Sequence, residues 1–186
     1  MTKSEYRECL AQEVFKDNSR SFLRKIFFRL YYQYFWPSTR ACYLIRKMQY
    51  LHGRSVLGRI RSKLIEKKLV KDYGIFISPV CEIGPGLHLP HPHGIVIGHA
   101  SVIGRNVSIY QDVTIGGARI GDTRRGNQPH IADGCTIFTG AKVLGDLTLG
   151  ARSMVAANAV LLSDTESDGV YAGIPAKLVK KNVPAQ

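Results

Sequence analysis

From Ile77 onward an aliphatic residue returns at every sixth position, and this constrains the fold more than any other feature of the 186-residue chain. The first series runs Ile77, Ile83, Leu89, then Ile97, Ile103, Ile109 and Ile115. The second runs Ile131, Ile137, Val143, Leu149, Val155 and Leu161. Four residues after a marker the side chain is usually small or β-branched, as at Cys81, Ser101, Val107, Val113, Cys135, Ala141, Ser153 and Ala159. Glycine commonly follows the marker, as at Gly84, Gly98, Gly104, Gly116 and Gly150. A period of six fits neither the helical repeat nor the alternation of a plain strand. It fits short strands joined by tight turns and stacked as a solenoid. Each hexapeptide supplies one aliphatic plug and one small neighbour, three hexapeptides close a triangular coil, and the markers make a little over four coils.

The rhythm breaks twice. Leu89 to Ile97 spans eight residues instead of six, and the extra ones fall in LPHPHGIVIG. Ile115 to Ile131 spans sixteen, read here as two hexads carrying four extra residues within GGARIGDTRRGNQPH. Insertions that leave the surface cost a stacked coil little, and function concentrates in them.

Charge divides the chain in two. Residues 1–74 hold 17 Lys and Arg against 6 Asp and Glu, so they carry +11 of the net +12. Helices are expected over 4–15, 19–35 and 39–71, with Trp36-Pro37 separating the last two and Gly53 dividing the third. In the second, Leu23, Ile26, Phe27, Leu30, Tyr31 and Tyr34 form an apolar stripe. That stripe suits packing on the solenoid or a partner subunit, where it caps the first coil. A second reading rests the basic amphipathic segment on an anionic bilayer as a peripheral contact. No nucleic-acid motif accompanies the charge. Cys9, Cys42, Cys81 and Cys135 lack any CxxC pairing, as expected of reduced thiols in a cytoplasmic protein, with Cys81 and Cys135 in the core. No apolar run is long enough for a membrane span, and the charged N-terminus lacks a secretory signal.

Three stretches, GLHLPHPHGIVIG, SIYQDVTIGG and YAGIPAKLVKK, carry a family likeness. From about Tyr73 to Lys181 the chain resembles the hexapeptide-repeat acyltransferases, in particular serine acetyltransferases and their relatives that acetylate surface polysaccharides. The resemblance implies a mainly β chain with a left-handed parallel β-helix over 75–168, interrupted by a loop at 116–130. An N-terminal α-helical segment, 1–74, precedes it, and a loop and basic tail on the coenzyme side, 169–186, follow. It implies a homotrimer using acetyl-CoA as co-substrate. His91 matches the family's catalytic histidine and would act as general base, since imidazole is largely neutral near pH 7. Prolines 90 and 92 would stiffen its turn. His93 is placed beside the substrate.

The chain departs from serine acetyltransferases in two places. Phe76 stands where they carry a carboxylate that pairs with the histidine, leaving a backbone carbonyl or Asp112 to orient the ring. Asn127 and Gln128 stand where they carry an Arg-His pair that helps hold the amino-acid acceptor. Amides suit sugar hydroxyls better than a carboxylate, so the expected acceptor is a sugar hydroxyl in surface polysaccharide biosynthesis. Serine is the rival, against which the ending NVPAQ counts, since the family's partner-binding tail ends in isoleucine. A hexapeptide scaffold without chemistry is a further rival. Arg124 and Arg125 are candidates for an acidic sugar or a coenzyme phosphate, or are a solvated loop tip. Gly140, Ala141, Ala156 and Ala157 are expected to make room for the pantetheine arm. In AGIPAK, Gly173, Pro175 and Lys177 would lie beside the adenine, with Lys180 and Lys181 adding charge for phosphates. His88, His91, His93 and His99 lie close enough in sequence to suggest a metal site, but their directions differ along the repeat, so none is expected. No cysteine sits at a register break, so direct attack without an acyl-enzyme is the simpler chemistry.

Overall fold

The computed structural model describes residues 1–14, Tyr31 and residues 35–181. The expected helix at 19–35, with its apolar stripe, lies outside the described residues except for Tyr31 and Phe35. Among the described residues three helices precede the repeat: α1 (Lys3–Glu13), α2 (Pro37–His52) and α3 (Val56–Tyr73). Each begins where the sequence offers a start signal. Thr2 and Glu5 exchange hydrogen bonds in a capping box, Pro37 occupies the first turn of α2, and the Ser55 hydroxyl accepts from Gly58 N–H. Gly53 ends α2, and Gly74, with φ 64°, ends α3.

The repeat then forms strands of two or three residues: β1 (Phe76–Ile77), β2 (Glu82–Ile83), β3 (Val96–Ile97), β4 (Val102–Ile103), β5 (Ser108–Ile109) and β6 (Thr114–Gly116). After a short helix, α4 (Asp122–Arg125), come β7 (His130–Ile131), β8 (Thr136–Ile137), β9 (Lys142–Leu144), β10 (Thr148–Leu149), β11 (Met154–Val155) and β12 (Val160–Leu161). They pair in parallel as three sheets: β1-β3-β6-β9-β12, β2-β4-β7-β10, and β5-β8-β11 extended by β13 (Gly169–Gly173) and β14 (Ala176–Lys181). Consecutive strands therefore visit three faces in turn, which is the three-sided coil the hexads call for. Of the markers, all but Ile83 are buried, and every small position named from the sequence is buried too. Each buried aliphatic side chain contributes about 1.5–3 kcal/mol relative to exposure.

Register shows how the breaks are built. Thr114 pairs with Lys142 and Val96 with Thr114, so one turn of the coil takes 18 residues normally and 28 across the loop. β6 and β7 lie on successive faces. Ile115 to Ile131 is thus a single hexad with ten extra residues, which corrects the expectation of two hexads with four. The likewise enlarged first coil pairs Phe76 with Val96, two residues longer than the repeat.

Both ends of the solenoid are closed by side chains. Arg46 on α2 donates to the carbonyls of Ile83 and Gly84, and Gln49 donates to that of Cys81. Glu13 at the end of α1 pairs with Arg46, and Glu13 Oε1 accepts from the N–H groups of Gly86 and Leu87. α2 therefore caps the first coil and satisfies groups that would invite edge pairing. At the far end Asp164 and Thr165 accept from the N–H groups of Thr148 and Gly150, and the β13–β14 hairpin extends one sheet. The basic tail is thus strand as far as Lys181, not the alternative of a surface helix.

Candidate functional site

One corner of the prism carries the histidine turn. It joins the face of β5, β8 and β11 to that of β3, β6, β9 and β12, and it contains 90–94, 110–112, 138–140 and 156–158 in successive coils. Parallel pairing puts the residue after each marker in one column, and there the sequence places Pro90, Tyr110, Phe138 and Ala156. Tyr110 and Phe138 stack with ring centroids 5.1 Å apart, and the exposed His91 ring lies 6.3 Å from Tyr110. Neither aromatic had been singled out from sequence, yet both stand one position after a marker in the third hexad of their coil. That recurrence was the available signal.

The turn is held by backbone bonds at every step. His93 N–H donates to the His91 carbonyl at 2.8 Å, Asp112 N–H donates to the His93 carbonyl at 2.9 Å, and Gly94 N–H donates to that of Tyr73. The Asp112 carbonyl in turn accepts from Lys142 Nζ at 2.6 Å. His91, His93, Asp112 and Lys142 thus share one exposed corner, and Lys142 is a further residue that the repeat alone did not single out. Among the described residues the His91 imidazole has no hydrogen-bond partner. Among the described residues no hydrogen bond joins it to Asp112 or to a backbone carbonyl, and the Tyr110 ring is its aromatic neighbour. Phe76 is 54% exposed on β1, on the outer face of its sheet.

The corner also explains Gly140, whose φ is 70°. A Cβ there would come within 2.1 Å of Asn158 Oδ1 in the next coil, so the missing side chain makes room for a neighbouring amide. Ala141 is fully buried inside the coil. It cannot line an outer groove, which corrects the expectation that it makes room for the pantetheine arm. Ala156 is partly exposed and Ala157 exposed on the same corner. Gly173, Pro175, Lys177 and Lys180 are exposed on the terminal hairpin, whereas Lys181 is engaged by Glu166.

Gln128 calls for the largest correction. It is 1% exposed, and its Oε1 accepts from Ala100 N–H at 3.0 Å and from the Ser101 hydroxyl at 3.2 Å. It plugs the corner after β3, in the space a Cβ on Gly98 would fill. It is a structural amide, not a sugar contact. Asn127 is partly exposed beside it, and Arg124 and Arg125 are exposed on α4, at the loop tip. The loop is pinned by Asp122, which is buried: its Oδ2 accepts from Ala118 and Arg119 N–H, and its carbonyl accepts from Asn127 N–H.

None of the four cysteines is in a disulfide, and all four are buried. Burial pushes the Cys81 thiol up to about 12 and that of Cys135 to about 11. Neither is poised as a nucleophile. Among the described residues no group of three or more His, Cys, Asp or Glu could hold a metal.

Comparison with known proteins points one way. No protein-family model matches the chain. A serine acetyltransferase of Staphylococcus xylosus is 43% identical over 109 residues, 59% of this chain and 50% of that protein. Serine acetyltransferase 2 of Arabidopsis thaliana is 39% identical over 116 residues, 62% of this chain and 35% of that one. The solved structure of a serine acetyltransferase in complex with CoA superposes with a TM-score of 0.75 at 27% identity, over 95% of this chain and 71% of that one. In repeat, fold and sequence the chain is thus similar to serine acetyltransferases of the hexapeptide-repeat kind. It spans about a third to a half of the length of the curated relatives it matches. These likenesses overturn the expected sugar acceptor of surface polysaccharide, and favour the serine rival. The physical reason is that the amide which suggested sugar binding is spent inside the fold.

Proposed function

We propose that this chain is an acetyl-CoA-dependent serine O-acetyltransferase acting in the cytoplasm as a homotrimeric left-handed β-helix. The observation that carries the reading is the turn made by the two-residue register break, which sets the exposed His91 on a corner of a fold shared with serine acetyltransferases. In the proposed reaction His91 takes the proton of the serine hydroxyl as its oxygen attacks the thioester carbonyl. The C–O bond forms, the C–S bond of the tetrahedral intermediate breaks, and the imidazolium returns the proton to the departing thiolate. The Tyr110–Phe138 column limits the positions open to the ring, since Phe76 offers no carboxylate to orient it. His93 and Asp112 line the acceptor side. Asn127 cannot pair with the serine carboxylate as a cation would, so that charge falls to Arg124 or Arg125 at the loop tip.

The residues available to acetyl-CoA fit it in kind. Ala156 and Ala157 present small side chains along the corner, and Gly173 and Pro175 form the hairpin turn. Exposed Lys177 and Lys180 offer charge to phosphates, with Lys181 shared with Glu166. Four cysteines outside any disulfide accord with a reducing compartment. The test is thiol release from acetyl-CoA with L-serine, with D-serine, and with no acceptor. L-serine-dependent release supports the reading, and release that ignores serine rejects it.

A further inference from the structure

α3 is apolar on two opposite sides, and among the described residues only one of them is packed against the rest of the molecule. Gly58, Ser62, Ile65 and Leu69 face the rest of the molecule: the Ser62 hydroxyl donates to the Met48 carbonyl, and Leu69 is fully buried in the common core. On the far side Val56, Ile60 and Leu64 follow one another at a spacing of four, with Leu57 alongside. They are 67%, 55%, 61% and 56% exposed. Four large aliphatic side chains in one stripe differ from the scattered apolar residues of an ordinary surface.

The charge around the stripe narrows what can cover it. α3 carries Arg59, Arg61, Lys63, Lys67, Lys68 and Lys71 against Glu66 and Asp72. Both carboxylates are already engaged, Glu66 by Lys63 and Asp72 by Lys68 and Arg40. A second copy meeting this face about a two-fold axis would set the same surplus of cations against itself. An acidic, apolar-backed surface complements it.

We infer that the outward stripe of α3 seats the chain on an anionic lipid surface. The four aliphatic side chains enter the headgroup boundary while the flanking lysines and arginines meet lipid phosphates and carboxylates. The helix lies in the plane of the surface; among the described residues no helix is long and apolar enough to cross a membrane. The inference is independent of the acetyl-transfer reading.

Co-sedimentation of the full chain with vesicles tests it, comparing phosphatidylcholine alone with phosphatidylcholine containing phosphatidylserine. Wild type should sediment with the anionic vesicles, weakly with neutral ones, and less at high salt. The double variant Ile60→Ser, Leu64→Ser should lose about tenfold or more in partitioning. Both positions are exposed, so its melting and serine-dependent turnover should stay those of wild type. Three results overturn the inference. One is no binding by wild type to anionic vesicles. Another is full binding by the double variant, which moves the contact elsewhere, for instance to Phe27 and Leu30. The third is a change in oligomer mass as the variant's only effect, which gives the stripe to a second copy.

Discussion

Gln128 shows how little a side chain's chemistry says about its use until its surroundings are known. As an exposed amide it would have gripped hydroxyls; folded, it satisfies Ala100 N–H and the Ser101 hydroxyl at the foot of the long loop. Replacing it with Ala should cost about 1–3 kcal/mol in urea unfolding, because a buried N–H loses its acceptor. The same burial logic governs the thiols. Cys81 and Cys135 are held well above the ordinary thiol value of 9.0. Above about pH 9 the unfolded chain releases these protons and the folded one does not, so stability should fall as pH rises from about 9 toward 11. Each thiol contributes a slope of up to about 1.4 kcal/mol per pH unit. Denaturation midpoints across that range check this, with a Cys81→Ala variant showing the shallower slope. At neutral pH both thiols should resist a disulfide reagent until the chain unfolds.

Among the described elements, a buried ion pair helps join the helices to the solenoid. Glu13 and Arg46 side chains have no exposure, and between them they hold Ile83, Gly84, Gly86 and Leu87, the corner just before the histidine turn. Removing one partner strands a buried charge. Glu13→Ala or Arg46→Ala should therefore destabilise by about 3–5 kcal/mol, far more than an exposed pair such as Lys63–Glu66. The strands and their register were readable from the hexads because a plug every six residues leaves few ways to coil. The ion pair was not, because Glu13 and Arg46 lie 33 positions apart and nothing in either helix's pattern marks a buried charge. The loop was misread for a related reason: sixteen residues divide as plausibly into two hexads as into one, and only the pairing of Thr114 with Lys142 decides between them. Asp122, which closes that loop, looked like one more polar residue in a polar stretch. Asp122→Asn keeps its shape and weakens its hold on Ala118 and Arg119, so it should raise the serine KM more than it lowers kcat.

For the whole molecule, the fold and its family likeness were legible, whereas the acceptor was not. The likeness rests on the repeat and on stretches around His91 and the terminal hairpin; the acceptor rested on two residues, one of which points inward. A homotrimer predicts a solution mass three times the chain's 20.7 kDa, readable by light scattering. The account as a whole depends on the histidine turn being where chemistry occurs. The most direct measurement is steady-state turnover of acetyl-CoA and L-serine by His91→Asn beside wild type, with melting recorded for both. The account predicts a kcat lower by about 10²–10⁴ with an unchanged melting temperature. Wild-type turnover in the correctly folded variant would contradict it.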